Sequence, residues 1–580
     1  MHKTFKCVLI KPSHYDDDGY VIQWYRSGIP SNSLASVYGL LSDCAELKVL
    51  GPDVDIDIDA YDECNTIIDI KGAIRKIRAA GMGFVGLVGV QSNQFPRALD
   101  IARQFRAADI PVVIGGFHPS GCISMLPELP PDLKEALDLG VSLYAGEGEG
   151  RMAELLHDIA KGTLKPIYNH LKSMPDMERA TLPILPRDIV VRNFGSYTSF
   201  DAGRGCPFQC SFCTIINVQG RKSRYRTPDD IEKIIRANIA QGIRRFFITD
   251  DNFARNKNWE AILDRMIELK EKHGLPIRCL LQVDTLCHRI PNFIEKAARA
   301  GCNTVFIGLE NINPESLAGT KKRQNKIWEY REMLQAWRNV KVMTYAGYIL
   351  GFPTDTPESI AHDIEIIKKE LPIDILEFFC LTPLPGSEDH KILHARGAPL
   401  EPDMNIYDLE HVCTTHPRMS KAQWSQVYRD AWASYYSPDH IATILRRAFV
   451  SGLSMSKVSN AITLFSGAVE IEEVHPLQLG MMRHKSRTQR RSGLSIENPL
   501  VFHSRRAAEM FVTVVRWARL AIRVRRLRKR IEADPSARSY TDEALQVTAA
   551  DQLDHFVEEF VDRIPKTHGA PVRRALANAS

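Results

Sequence analysis

Three cysteines, Cys206, Cys210 and Cys213, follow one another at C-x3-C-x2-C spacing in one short loop. Two glycines, Gly203 and Gly205, and a proline open this loop, so its backbone can turn tightly. A tight loop can direct three thiolates toward one point, as an iron–sulfur cluster requires. A [4Fe–4S] cluster has four irons, so three cysteine ligands leave one iron open to a substrate or cofactor.

Two other interpretations of these cysteines remain open at the level of sequence. They could be free thiols in a packed core, where cysteine behaves as a small apolar residue. They could also hold zinc, but a closed structural zinc site needs a fourth ligand. The nearest candidates, Cys279, Cys287 and Cys302, lack the paired spacing of zinc sites.

The loop resembles the C-x3-C-x-aromatic-C motif of radical S-adenosylmethionine (SAM) enzymes, with Phe212 at the aromatic position. The resemblance implies that the amino and carboxylate groups of SAM chelate the open iron. It also implies that an electron from the cluster breaks a carbon–sulfur bond and yields a 5′-deoxyadenosyl radical. The same resemblance assigns SAM's amino group to the segment of Asp250, and its ribose and adenine to the segments of Glu310 and Gly351.

Six predicted strands alternate with helices from Ser196 onward, which is enough for a partial βα barrel. Barrel chemistry lies at the carboxyl ends of the strands, and Asp250, Gln282 and Glu310 are the polar candidates there. The predicted strands cover residues 196–201, 245–249, 278–283, 304–309, 342–350 and 376–381.

Residues 1–165 alternate strands and helices as well, and the β-branched run 83–90 is typical of a strand buried on both faces. This order predicts a doubly wound parallel sheet, in which ligands bind outside the carboxyl strand ends. No G-x-G-x-x-G follows the first strand, which disfavours a dinucleotide, and plain strand-to-helix turns remain the alternative. The candidate residues at these ends are Ser92, Gly115, Gly116, His118, Gly146, Glu147 and Gly148.

This segment resembles the cobalamin-binding domain found ahead of many radical SAM domains, which implies cobalamin as a third cofactor. The D-x-H-x-x-G motif that supplies a histidine to cobalt is absent. His14 and His118 lack its context, so we expect no histidine ligand from this domain. The polar loop 11–19 is either a ligand-facing loop or a solvated acidic turn.

The remaining sequence predicts a linker over 166–195, a radical SAM domain over 196–420 and a helical C-terminal region over 421–580. No run of eighteen apolar residues is present, and the start lacks a signal-peptide core. Twelve cysteines in 580 residues do not form a disulfide framework, so we expect a reducing cytoplasm.

The C-terminal region is basic. Residues 481–530 hold fifteen Lys or Arg against two Glu, in a chain of net charge +5. A helical stripe of arginines is predicted with an apolar face roughly opposite, and residues 567–580 are predicted to be disordered. The stripe would bind an anionic membrane or an acidic partner, or it is the solvated face of a helix packed on the core. The arginines are Arg516, Arg519, Arg523, Arg526 and Arg530, and the apolar residues are Phe511, Val514, Ala518 and Ile522.

Together these patterns predict a cobalamin-dependent radical SAM enzyme that methylates an unactivated carbon of a small molecule or lipid. A cyclase or rearrangement enzyme without methyl transfer, and an iron–sulfur electron-transfer or sensing protein, are the alternatives. A methylthio-transferring enzyme would need a second cluster, for which Cys7, Cys44, Cys64 and Cys122 are too widely spaced. We expect a reducing partner such as flavodoxin or ferredoxin, and no nucleic acid.

Overall fold

A computed structural model describes residues 3–322 and 324–546. Two six-stranded parallel sheets lie one after the other along the chain, and a mostly helical part follows them. The predicted α/β class, with a helical C-terminal region, is therefore confirmed. The terminal segment predicted to be disordered, residues 567–580, lies outside the described residues.

The first sheet has the strand order β3-β1-β4-β5-β6-β7, and every neighbouring pair is parallel. Alternate residues of β1 point to opposite faces: Val8 packs into one apolar core and Leu9 into the other. Both faces are covered by helices, as a doubly wound sheet requires. The elements are β1 Lys3–Lys11, β2 Gln23–Ser27, α1 Asn32–Glu46, β3 Val54–Asp62, α2 Ile70–Ala80, β4 Gly81–Leu87, α3 Phe95–Arg106, β5 Val112–Gly115, α4 Phe117–Met125, α5 Pro131–Asp138, β6 Ser142–Ala145, α6 Met152–Lys161 and β7 Ile167–Asn169.

The last strand of this sheet lies inside the range predicted to be a linker. Ile167 pairs with Leu143 of β6, so the sheet continues past residue 165. A three-residue strand carries no periodicity of its own, and only its pairing with β6 defines it.

The second sheet is the predicted barrel, and its six strands are neighbours in chain order. Each strand pairs in parallel with the next, from β8 to β15. Its elements are α7 Arg187–Val190, β8 Tyr197–Phe200, β9 Gly203–Arg204, α8 Ile215–Val218, β10 Arg224–Tyr225, α9 Pro228–Ala240, β11 Arg245–Ile248, α10 Trp259–Glu271, β12 Arg278–Val283, α11 Phe293–Ala300, β13 Cys302–Glu310, α12 Pro314–Gly319, α13 Tyr330–Asn339, β14 Met343–Leu350, α14 Pro357–Glu370, β15 Ile375–Cys380 and α15 Glu388–Ala395.

The C-terminal part contacts the N-terminal part of the chain, because β16 pairs antiparallel with β2. No helix within residues 3–322 and 324–546 is long and apolar enough to cross a membrane. The elements are α16 Lys421–Tyr435, α17 Pro438–Val450, α18 Met455–Gly467, β16 Gly480–His484 and α19 Pro499–Ala533.

Helix α19 does not bury the apolar face that the sequence analysis predicted for it. Phe511 is 71% exposed and Ile522 is 49% exposed. The residues that pack on the protein are instead Phe502, Leu520, Val524 and Ile531. The interpretation of the predicted apolar face as a core-packed face is therefore wrong.

Candidate active site

The three cysteines lie in the loop that follows β8, at the carboxyl end of the barrel. Cys210 is buried, whereas Cys206 and Cys213 are half-buried. The loop is held by the Cys206 amide, which donates to Gly220 at 3.3 Å, and by the Cys213 amide, which donates to Cys210 at 3.2 Å. Gly205 has φ +87°, and a Cβ there would lie 2.5 Å from the Lys222 carbonyl oxygen, so this turn requires glycine.

The electrostatics of these thiols fit a metal cluster. Burial raises the pKa of Cys206 to about 11 and that of Cys213 to about 12, and the Asp251 carboxylate adds to both shifts. Hydrogen bonds from backbone N–H groups partly lower both pKa values. The Phe208 amide acts on Cys206, and the Ile215 and Ile216 amides act on Cys213. Thiolates so placed need a nearby positive charge, which cluster iron provides. Cysteines that ligate metal centres commonly accept such hydrogen bonds at their sulfur atoms.

Two of the three candidate zinc ligands lie away from the loop. Cys279 and Cys302 are register partners at the amino ends of β12 and β13, opposite to the loop, so they cannot complete a zinc site with it. Cys287 follows the carboxyl end of β12 and is fully buried, and both it and Cys206 act electrostatically on Arg255. Cys7 and Cys122 lie in separate cores on the two faces of the first sheet. These two thiols therefore cannot ligate one cluster together.

Asp250 holds the backbone that leads into the cysteine loop. Its Oδ1 accepts from the Ala202 amide at 2.6 Å and from the Gly203 amide at 2.8 Å, and its Oδ2 accepts from Asn256 at 2.9 Å. Burial raises the pKa of Asp250 to about 7. The structure thus gives Asp250 a positioning role, and its contact with SAM stays a prediction. The neighbouring carboxylate, Asp251, is the one that acts on the thiols.

Glu310 and Phe212 meet at a shared lysine. Lys322 pairs with the Glu310 carboxylate, and its Nζ lies 5.8 Å from the centre of the Phe212 ring. Glu310 adopts φ +64°, an uncommon backbone conformation that brings this carboxylate to the end of β13. Gln282 donates to the Asp250 carbonyl at 3.3 Å. These predicted residues thus surround the cysteine loop, and SAM binding by them stays a prediction.

The carboxyl edge of the first sheet faces the cysteine loop across a buried ion network. Arg204, two residues before Cys206, donates to Glu147 at 2.6 Å and to Glu149 at 2.7 Å. Arg224 also donates to Glu147, at 2.8 Å. Glu147 was predicted to bind a cofactor; in the structure it joins the two sheets. The sequence analysis missed both arginines, since nothing in their local pattern indicates a distant carboxylate.

The other candidates of this edge have partners inside the protein. His118 is fully buried, and its nitrogens contact Ser92 at 3.1 Å and Asp132 at 2.7 Å. Burial alone would lower its pKa, but Cys122 and Asp132 raise it to about 10. A protonated imidazole with both nitrogens hydrogen-bonded inside the protein does not ligate cobalt, which supports the expectation for His118. Burial lowers the pKa of His14 to about 4, and for this residue the expectation stays a prediction.

The glycines of this edge are explained first by close packing. A Cβ at Gly116 would lie 2.1 Å from the Val90 nitrogen, one at Gly146 would meet the backbone of residue 170, and one at Gly148 would meet Met152. Gly115 has only ordinary contacts with Tyr144, at 3.4 Å. These contacts neither require nor exclude cobalamin, whose binding at this edge stays a prediction.

The polar loop 11–19 is exposed at its turn, at Asp17 and Asp18, and its contact with a ligand stays a prediction. Most of the loop is buried, and Asp16 pairs with Arg483 at 2.9 Å and with Lys485 at 2.8 Å. The loop is therefore a contact between the first sheet and the C-terminal part.

A cavity of about 2740 Å³ occupies the barrel interior and opens beside β2, α18 and α19. Its inner wall is mostly aromatic and aliphatic, with Phe247, Leu280, Phe306 and Phe379 from four strands. Gln282 lies in the same wall and donates to the Asp250 carbonyl, so the cavity extends toward the cysteine loop, although none of residues 203–213 lines it. Ordinary small-molecule pockets measure roughly 300–1,000 Å³, so this cavity suits a large ligand.

One ionisable group in the cavity wall was missed by the sequence analysis. Glu377 of β15 is fully buried, accepts from the Tyr345 hydroxyl, and has an oxygen 3.4 Å from Nδ1 of His475. Burial raises its pKa to about 8. A glutamate inside the apolar run 375–380 was the available signal.

The family model of the radical SAM superfamily matches residues 202–367. This segment is a radical SAM domain. Two curated relatives are bacteriochlorophyllide d C-12(1)-methyltransferase of Chlorobaculum tepidum, 29% identical over 48% of this chain, and hopanoid C-2 methylase of Rhodopseudomonas palustris, 26% identical over 52%. The matches cover 58% and 56% of those proteins, a little over half of each.

The fold extends beyond the radical SAM domain in the solved structures as well. The methyltransferase TsrM from Kitasatospora setae, with cobalamin and a [4Fe–4S] cluster bound, superposes with a TM-score of 0.57 at 16% identity. The superposition covers 79% of this chain and 98% of that one. The arrangement of an N-terminal parallel sheet, a barrel and a helical part is therefore shared.

Proposed function

We propose that this chain is a cobalamin-dependent radical SAM enzyme that transfers a methyl group to an unactivated carbon of a large, mainly apolar molecule. The observation that carries the proposal is the Arg204 network, which holds the edge of the first sheet against the cysteine loop. A ligand at that edge would lie next to one bound at the cluster. The relatives named above are a methyltransferase and a methylase, which agrees with this class of reaction.

Different residues of the chain would perform different parts of such a reaction. Cys206, Cys210 and Cys213 would hold the [4Fe–4S] cluster, which supplies the electron that cleaves SAM when it is bound. Cobalamin at the sheet edge would carry the methyl group. Asp250 fixes the loop that bears the thiols, and the cavity wall excludes water from the reacting carbon. The electron would come from a flavodoxin or ferredoxin.

Three measurements on anaerobically purified protein test this function. Incubation with SAM and a reductant is expected to release 5′-deoxyadenosine, which an electron-transfer or sensing protein would not produce. Desalted protein is expected to retain hydroxocobalamin at about one per chain. A product heavier by one methylene unit distinguishes methyl transfer from cyclisation or rearrangement. Absence of retained corrin absorbance would reject the cobalamin assignment.

We also propose that α19 docks on an anionic membrane and that the substrate is then a lipid. A helix turns about 100° per residue, so Leu500, Phe511, Ala518 and Ile522 lie within about 40° of one another. This outward stripe faces away from the buried residues of α19 and is flanked by arginines, as in interfacial helices. The same helix lines the cavity mouth through Met510, so a docked lipid would have a short path inward.

Vesicle sedimentation tests this contact. Full-length protein is expected to sediment with phosphatidylglycerol vesicles at low salt, less at high salt, and little with phosphatidylcholine vesicles. The variant Phe511→Ser/Ile522→Ser should lose most of this binding, whereas Ile392→Ser, at another exposed apolar position, should not. Equal sedimentation with both vesicles would reject the membrane. Dimer formation that is lost in the double variant would mean that a second copy covers the stripe.

A further inference from the structure

The lower end of the cavity, at the amino ends of the barrel strands, carries a group of cations. Arg245 begins β11, Arg278 begins β12, and Lys457 extends from the first turn of α18 to the same wall. Lys457 donates to Thr304 at 2.6 Å, to the side chain of Asn303 at 2.8 Å and to the Asn303 carbonyl, which fixes its ammonium at the start of β13 and uses its three N–H groups. The three side chains thus come from three elements, β11, β12 and α18, and share one end of one cavity.

These cations lie close to one another. The Arg245 guanidinium lies 5.7 Å from the centre of the Tyr197 ring, and both Arg245 and Arg278 act electrostatically on the Tyr197 hydroxyl. Burial, and to a smaller extent Arg278, lower the pKa of Lys457 to about 8. Arg245 and Arg278 are register partners on neighbouring strands, and Arg278 is exposed to solvent at this end of the barrel. An anion bound between these two charges would relieve their repulsion.

Asp374 acts electrostatically on Lys457, but its ion-pair partner is Arg338. Among the described residues, no carboxylate oxygen lies within 4 Å of the charged nitrogens of Arg245, Arg278 or Lys457. Arg245 donates a hydrogen bond to the Gly195 carbonyl oxygen at 3.2 Å. By contrast, Arg483 and Lys485 at the side of the cavity are already paired with Asp16.

We propose that these three residues form a subsite for an oxyanion on the substrate, a carboxylate or a phosphate, whose apolar body fills the barrel. The inference rests on the proposed function and adds a substrate class to it: an anionic amphiphile. The two arginines can bind such a group through charge-assisted hydrogen bonds, Lys457 adds its charge, and the aromatic wall above them accepts the apolar body.

The barrel then sets the position of the reaction along the substrate. Four residue steps along β12 separate Arg278 from Gln282, about 13 Å at 3.3 Å per step. Seven steps along β13 separate Asn303 from Glu310, about 23 Å. The carbon that reacts near the cysteine loop therefore lies roughly 13–23 Å from the acidic group.

Fluorescence titration of the cofactor-loaded protein tests the subsite. The probes are cis-parinaric acid, a fluorescent eighteen-carbon fatty acid, and its uncharged methyl ester, with hexadecyl phosphate as a competitor. Wild type is expected to bind the acid at least tenfold more tightly than the ester, because each charge-assisted bond contributes strongly. Arg245→Gln/Arg278→Gln should bind the acid at least tenfold more weakly and the ester as wild type does.

Arg244→Gln is the matched control, because Arg244 is exposed, adjacent in sequence and outside the cavity wall. Palmitate serves as a second competitor, with a carboxylate in place of the phosphate. Stronger competition by hexadecyl phosphate would identify a phosphate as the preferred group, and stronger competition by palmitate would identify a carboxylate. Equal binding of acid and ester by wild type, or weaker binding of both by the double variant, would overturn the subsite. Selective acid binding without SAM cleavage would leave the subsite standing and reject the proposed function.

Discussion

Replacing Arg204 with Met should separate the two halves of the active site, because this side chain satisfies three buried carboxylates at once. Its nitrogens lie 3.0 Å from Asp201, 2.6 Å from Glu147 and 2.7 Å from Glu149. Three positive and three negative side chains balance in this network. The members are Arg204, Arg224, Arg226, Asp201, Glu147 and Glu149.

The Arg204→Met variant leaves two positive charges against three negative ones in a site where the arginine was 8% exposed. Breaking a buried pair by removal of one partner costs about 3–5 kcal/mol, since a charge stays buried without compensation. Glu149 has no other ion-pair partner among the described residues, so Arg204→Met/Glu149→Gln restores the balance. We expect this second change to recover at least about 1 kcal/mol.

Urea unfolding, followed by tryptophan fluorescence, measures both effects from the shift in midpoint at a common slope. Iron content after anaerobic reconstitution should fall as well, because Arg204 stands two residues before Cys206. Arg221→Met is the control; Arg221 is exposed and its change should cost less than about 0.5 kcal/mol. A loss below about 1 kcal/mol for Arg204→Met, or no recovery in the double variant, would refute the reasoning.

Two further predictions concern the cluster and the cavity. Replacing Cys206, Cys210 and Cys213 together with Ala should remove cluster iron and SAM cleavage, and about four irons retained per chain would contradict the assignment. Glu377 has a pKa of about 8 when folded, above its unfolded value, so its folded form binds the extra proton between about pH 4.5 and 8. The unfolding free energy of wild type should therefore fall as the pH rises through this window. The Glu377→Gln variant lacks this titration, so its unfolding free energy relative to that of wild type should rise by roughly 1 kcal/mol per pH unit. Parallel curves for the two proteins would show that Glu377 does not titrate there.

The barrel and the cysteine loop could be predicted from sequence because their signals are local. Each strand is a short apolar run that ends in a polar or glycine-rich turn, and all six strands of the second sheet were found in this way. The cysteine spacing and Phe212 lie within eight residues. Signals of this kind do not depend on the rest of the fold.

The pairing of β2 with β16 had no such signal. Gln23 and His484 are register partners although most of the chain separates them, and neither strand exceeds five residues. The strand β7 was missed for the same reason, since three residues become a strand only through β6. Such elements are defined by their partners, which a single sequence does not name.

The site residues show the same difference between local signals and distant partners. Sequence position placed Asp250, Glu147 and His118 correctly at strand ends, but it could not tell whether each side chain faces a ligand or the protein. In the structure Asp250 bonds backbone amides, Glu147 pairs with Arg204, and His118 pairs with Asp132. A polar residue at a strand end is thus as available for holding the loops in place as for binding a cofactor. We therefore placed the proposed subsite at Arg245 and Arg278, which line the cavity at the opposite end of the barrel and have no ion-pair partner among the described residues.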